Sequence, residues 1–223
     1  MKSLLSQFMK EHFDNLTLRP PLFYLWKYRI RFEISIPGVE HEEKSNLQQI
    51  KERSTGIFNK VFHEMDEILL VTDIHCEKNN TYLQKRPTLV YQKYIEDKKL
   101  RRKLQHRVLP SVFLEDVDGE DYIDMVTHRF FLSCKKTDIR YKQLLTAISY
   151  EYTPHPARIL KGFPRYGIDI FFINVTRKMI YHLYDDRGCD VIASNKEDLR
   201  TLYEEFNDWI LDYDREQIDQ LFK

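Results

Sequence analysis

Apolar residues recur along this chain in two rhythms. Leu4, Leu5, Phe8, Met9 and Phe13 fall at helical spacing, which predicts an amphipathic helix over residues 3 to 14, ended by Arg19-Pro20-Pro21. Tyr28-Arg29-Ile30-Arg31-Phe32-Glu33-Ile34 alternates apolar with charged positions, the period of a strand with one wet face, and Pro37-Gly38 stops it. A long helix is expected at about 45 to 65. Ser45 and Gln48 supply its capping box, and Leu47, Ile50, Ile57, Phe58, Val61, Phe62 and Met65 its apolar stripe.

Glu67 to Ile74 reads as a buried strand. Tyr82 to Tyr91 reads as its partner, returning through Asn79-Asn80 with Pro87 at an edge or bulge, and Tyr94 to Leu109 as a helix. Past an acidic loop, Met125 to Cys134 predicts another strand. Tyr141, Leu144, Leu145, Ile148 and Tyr152 mark a helix closed by Pro154-His155-Pro156. Ile170 to Val175, Met179 to Tyr184 and Cys189 to Ala193 then form a three-stranded meander that turns at Asp185 to Gly188. Ser194 with Glu197 reads as a second capping box, followed by a helix with the stripe Leu199, Leu202, Tyr203, Phe206 and Ile210, flanked by Trp209. The tail from Asp212 carries enough apolar surface at Ile218, Leu221 and Phe222 to dock as a short helix. Hairpins interspersed with helices predict an α+β fold: a mainly antiparallel sheet with packed helices, and a C-terminal meander followed by a helix. Residues 1–223 read as a single domain of two lobes dividing near 110–121.

Charge and cysteine content narrow the function classes. Lys plus Arg and Asp plus Glu number 35 each, so no overall field draws in polyanions or membranes. The charge is nonetheless segregated: from Leu183 onward twelve acidic residues face five basic ones, which leaves the preceding part correspondingly basic. Cys76, Cys134 and Cys189 lie far apart, and an odd count without CxxC spacing argues for a reducing, cytoplasmic setting. No run approaches the roughly eighteen apolar residues of a membrane span.

Tyr184-Asp185-Asp186-Arg187-Gly188 with Asp190-Val191, then Asn207-Asp208-Trp209-Ile210, resembles an uncharacterised bacterial domain-of-unknown-function family known from bacilli and relatives. Arg31-Phe32-Glu33 and the segment 53 to 61 are similar to that family's N-terminal half. The resemblance implies a bacterial cytosolic protein and carries no activity, cofactor or catalytic residue.

Asp185-Asp186-Arg187-Gly188 is the most distinctive cluster. Its conservative reading is a turn, with Asp bonding the backbone ahead and Gly supplying a positive φ. Asp186, Arg187 and Asp190 exceed what a turn needs. A metal site would recruit His182 and Asp190, but pairing Tyr184 with Cys189 sends His182 to the opposite face unless a bulge at Gly188 shifts the register by one. No metal or cofactor is therefore assigned. The run Lys98 to Arg107 reads as a solvated helix face, which makes nucleic acid an unfavoured partner. Asp116 to Asp121 departs from a calcium loop, since its twelfth position is Thr127. Cys189 reads as a small core residue.

These readings lead to a non-enzymatic, macromolecule-binding protein. Its expected partner is a basic protein, in the manner of an immunity protein that neutralises a toxin, met by the acidic C-terminal region. The binding candidates are Asp185, Asp186, Arg187, Gly188, Asp190 and Trp209. The alternative is a metal- or anion-dependent hydrolase built on Asp185, Asp186, Arg187 and Asp190.

Overall fold

The computed structural model describes residues 3–79, 88–113, 124–150, 159 and 167–223. Among the described residues seven strands build one sheet: β1 (Arg29–Glu33), β2 (Glu67–Glu77), β3 (Gln105–Pro110), β4 (Met125–Lys135), β5 (Ile168–Asn174), β6 (Met179–Leu183) and β7 (Gly188–Ala193). Their spatial order is β1-β7-β6-β5-β2-β4-β3, and every pairing is antiparallel. The helices are α1 (Leu4–His12), α2 (Leu22–Leu25), α3 (Lys44–Val61), α4 (Leu89–Tyr94), α5 (Lys98–Arg101), α6 (Tyr141–Ser149), α7 (Glu197–Glu205) and α8 (Arg215–Phe222). This is the α+β architecture that the two rhythms predict. Strands from both sides of residues 110–121 share the one sheet.

Each face of the sheet has its own core. On one face, Phe58 of α3 stacks on Phe62 and on Tyr141 of α6 and meets Phe172 of β5 edge-on at 5.0 Å, while α7 and α8 add Leu199, Leu202 and Ile218. The other face is covered by the N-terminal segment. Leu5, Phe8, Met9, Phe13, Leu18, Leu22 and Trp26 close over Leu69, Val71, Phe131, Phe171, Ile173, Ile180 and Ile192. Trp26 Nε1 fastens that cover by donating to the Ala193 carbonyl at 2.7 Å.

Several expectations are corrected. The face of β1 expected to be wet is covered by α2, so Arg31 is buried. Residues 80–87 lie outside the described residues, and the predicted strand ends instead in helix α4 from Leu89. The helix expected over Tyr94 to Leu109 is a single turn, α5, followed by strand β3. Leu100, Leu104 and Val108 mimic a helical stripe, but tertiary pairing overrides it. His106 stacks on Phe130 of β4 at 4.2 Å, and Val108 is left 55% exposed.

Helix α3 stops at Val61 rather than near 65, because Asn174 Nδ2 takes the Val61 carbonyl and Asp66 takes the His63 amide, each at 2.8 Å. Neither capping box forms. Gln48 turns to Glu52, and the Glu197 amide is taken by Asn195, whose amide nitrogen bonds Asp198. α7 ends at Glu205, and Asn207–Trp209 is a tight 3-10 turn. The acidic loop Glu115 to Asp121 and the stop at Pro154-His155-Pro156 lie outside the described residues.

Candidate functional site

The turn between β6 and β7 is built by its first aspartate. Asp185 Oδ1 accepts the Arg187 amide at 2.8 Å, and Oδ2 accepts Arg187 Nε at 2.8 Å and Nη2 as well. Asp185 is thereby buried, while the Arg187 side chain stays 76% exposed with its guanidinium locked in place. Asp185 also raises the Arg187 pKa by hydrogen bond and charge. Asp186 points away and holds His41 Nδ1 at 2.9 Å.

Gly188 does not have the positive φ expected of it; only Gly38 and Gly167 are glycines in that region among the described residues. Its necessity is one of space. A Cβ at Gly188 would lie 2.2 Å from the Tyr184 hydroxyl and 2.5 Å from the Phe32 carbonyl oxygen.

The hairpin register is shifted by one from the expected pairing, with His182 opposite Asp190 and Leu183 opposite Cys189. His182 and Asp190 therefore share the face covered by the N-terminal segment. Asp190 does not reach the turn cluster, because Arg31 of β1 grips it through Nε at 2.7 Å and Nη2 at 2.9 Å, and the Phe23 amide of α2 donates to it at 3.0 Å. Asp214 stands 3.5 Å from Arg31 Nη1 and accepts the Tyr24 hydroxyl at 3.1 Å. The aromatic faces of Phe23 and Tyr24, each 4.9 Å from the guanidinium carbon, complete this enclosure. Burial opposes the Arg31 charge, but Asp190 outweighs it and holds the guanidinium protonated.

Further along the same face lies a polar row that sequence reasoning missed. Asp169 of β5 sits between two imidazoles, 2.8 Å from His75 Nε2 and 3.4 Å from His182 Nε2, while His75 Nδ1 is 3.1 Å from Thr127 Oγ1. His182 is fully buried against Phe171, and among the described residues its ring nitrogens make no well-aligned hydrogen bond. Burial alone would raise the Asp169 pKa, yet the flanking His182 and His75 hold it well below the usual carboxylate range. Beside it Asp73 pairs with Arg129, burial pushing the Asp73 carboxyl up against that cation's pull. A charged residue inside the apolar run Ile168-Asp169-Ile170 was the available signal.

Where the turn, the end of β1 and the cis Pro20-Pro21 segment meet, they enclose a groove of about 980 Å³. Tyr184, Leu211 and the two prolines give it apolar walls. Among its described lining residues four carboxylates, Glu33, Asp169, Asp185 and Asp186, face two guanidinium groups, Arg31 and Arg187. Both arginines already have carboxylate partners, so the unspent charge of the groove is negative. Burial raises the Glu33 carboxyl while Arg53 pulls it back. Trp209 lies elsewhere, stacked on Phe206 at 4.5 Å under the Arg53 guanidinium. Among the described residues no group of three or more His, Cys, Asp or Glu side chains is placed to hold a metal ion.

Residues 5–214 match the family described as a domain of unknown function, DUF3885. The chain belongs to that family. The match runs from α1 to Asp214, so the sheet, the N-terminal cover and the turn cluster lie inside it, while α8 follows it. A Bacillus subtilis protein, "Uncharacterized protein YnaE", is 32% identical over 214 residues, covering 92% of this chain and 96% of that one. No solved structure matches. Among the described residues no helix is long and apolar enough to cross a membrane.

Proposed function

We propose that this DUF3885 protein binds a basic segment of a partner protein in the groove beside the Asp185-Gly188 turn. The observation that carries this reading is the charge left over inside the groove. Arg31 is consumed by Asp190 and Asp214, and Arg187 by Asp185, whereas Glu33 forms no ion pair among the described residues and Asp186, which gives Oδ2 to His41, keeps its other oxygen for an incoming cation. Opposite charge steers encounter and fixes register, and the apolar walls supply contact area for a side-chain stem. An immunity-type inhibitor covering a basic toxin surface is one form of this activity.

The hydrolase alternative loses support from the same geometry. Both oxygens of Asp190 are occupied in a fully buried pair, both oxygens of Asp185 are spent on Arg187, and neither arginine is left unpaired for a phosphate.

Fluorescence anisotropy with a labelled Lys/Arg-rich peptide tests the reading, using an acidic peptide as control. Saturable binding is expected for the basic peptide, about tenfold weaker in Glu33→Gln/Asp186→Asn and reduced by salt. Glu204→Gln/Glu205→Gln, outside the groove, should bind as wild type does. Equal affinity for both peptides, or equal loss in both variants, rules it out.

A further inference from the structure

A second cavity, of about 430 Å³, opens where the start of α1, the chain before α2 and strand β3 come together. Arg19, Arg107 and Arg129 wall it with the hydroxyls of Ser3, Ser6 and Ser111, and no carboxylate occurs among its described lining residues. We propose that this cavity binds a phosphate group, borne by a small phosphorylated molecule or present as the free ion.

The three arginines are not equivalent. Arg129 is neutralised from behind, with Nε on Asp73 at 2.8 Å and Nη2 also held by the Leu18 carbonyl at 3.0 Å, which fixes the direction of its fork. Arg107 differs. It extends from the sheet's edge strand to give Nη1 to Ser6 Oγ at 3.2 Å, and among the described residues it forms no ion pair. Arg107 is exposed at the mouth of the cavity, and a guanidinium held there by a neutral hydroxyl keeps its charge for a ligand. Planar guanidinium groups match phosphate oxygens two at a time, and this bidentate geometry is what separates arginine from lysine as a phosphate ligand.

The hydroxyls fit the same chemistry. Ser3 Oγ and Ser6 Oγ lie 3.0 Å apart, and Ser3 and Ser111 are both buried. Each hydroxyl hydrogen rotates to suit an acceptor, so the cluster can donate to an oxyanion without rearranging its backbone. The volume lies within the range of small-molecule sites, and Leu5 and Phe131 provide apolar wall for the rest of a phosphorylated molecule.

Isothermal titration calorimetry with inorganic phosphate and with glycerol phosphate tests the proposal on wild type, Arg107→Gln, Arg19→Gln and, as a control outside the cavity, Arg102→Gln. Each variant is first required to melt cooperatively. Wild type is expected to bind at least one probe saturably, Arg107→Gln and Arg19→Gln to weaken it by about tenfold or more, and Arg102→Gln to leave it unchanged. Tighter binding of glycerol phosphate assigns a phosphorylated small molecule, and equal binding assigns the ion. Binding of neither probe at millimolar concentration overturns the proposal, as does the same loss in Arg102→Gln as in Arg107→Gln.

Discussion

Replacing Gly188 with alanine tests why the turn motif ends in glycine. The new Cβ would meet the Phe32 carbonyl oxygen at 2.5 Å, so that oxygen must retreat by about 0.5 Å to reach the shortest separation real side chains tolerate. Phe32 belongs to β1, which is hydrogen-bonded to β7 through this very stretch, and strand spacing is fixed by those bonds. The second contact, the Tyr184 hydroxyl at 2.2 Å, is the far end of a side chain and can swing aside at lower cost. Overpacking of this kind costs typically 1–3 kcal/mol; with one clash against backbone the upper end applies, about 3 kcal/mol. For a chain of this length that lowers Tm by roughly 6–12 °C. Differential scanning calorimetry of Gly188→Ala, Tyr184→Phe and the double variant measures it. The double variant should recover about 1 kcal/mol of the alanine penalty, a coupling expected only for groups in contact. Gly188→Asn should be no better than alanine, since φ is not the constraint. An alanine variant within about 0.5 kcal/mol of wild type, or an asparagine variant that is well tolerated, would refute the steric account.

Other outcomes follow from the buried polar groups. Asp190→Ala strands the Arg31 guanidinium and the Phe23 amide without their acceptor, so it should cost about 3–5 kcal/mol in urea denaturation, against roughly 1–2 kcal/mol for Asp185→Ala, whose Arg187 is free to turn to water; similar costs for the two would contradict this. Asp169, held low by His182 and His75, contributes stability that is fully present above the ordinary carboxylate pKa of about 3.9 and lost as pH falls through its lower folded value. Asp169→Asn should therefore flatten the decline of stability below about pH 4, and an unchanged slope would exclude the assignment. Cys76, Cys134 and Cys189 are buried, and burial pushes all three thiols up, Cys76 to about 11. A thiol reagent at pH 8 should label none of them in the native protein and all three in denaturant; rapid labelling of one in the native state would place it at the surface.

The meander, α1, α3 and α7 were legible because each shows a single dominant period. The polar half of the site was not. Alternation assigns Arg31 and Asp190 to the solvent side of their strands, and nothing local reveals that α2 and the Pro20-Pro21 segment return to cover them. The hairpin register failed for a related reason: Gly188 packs closely against Phe32 of another strand, and such a tertiary contact leaves no mark in a seven-residue window. Strand β3 was hidden by Leu100, Leu104 and Val108 at four-residue spacing, a helical pattern weaker than ladder pairing with β4. Within the turn itself, Asp185 behaved as its residue type predicts.

The N-terminal cover has a consequence for the order of events during synthesis. Residues 3–26 are synthesised well before β7, and their anchors, Asp190 for the Phe23 amide and the Ala193 carbonyl for Trp26, lie 167 positions after Phe23 and Trp26. β1 likewise has β7 as its partner in the sheet. One of the two cores can close only when β7 has emerged, and until then its leading apolar segment must wait without its native surface. A nascent chain arrested before β7 should thus present Phe8, Phe13 and Leu22 to chaperones, and release of those residues would report completion of the fold.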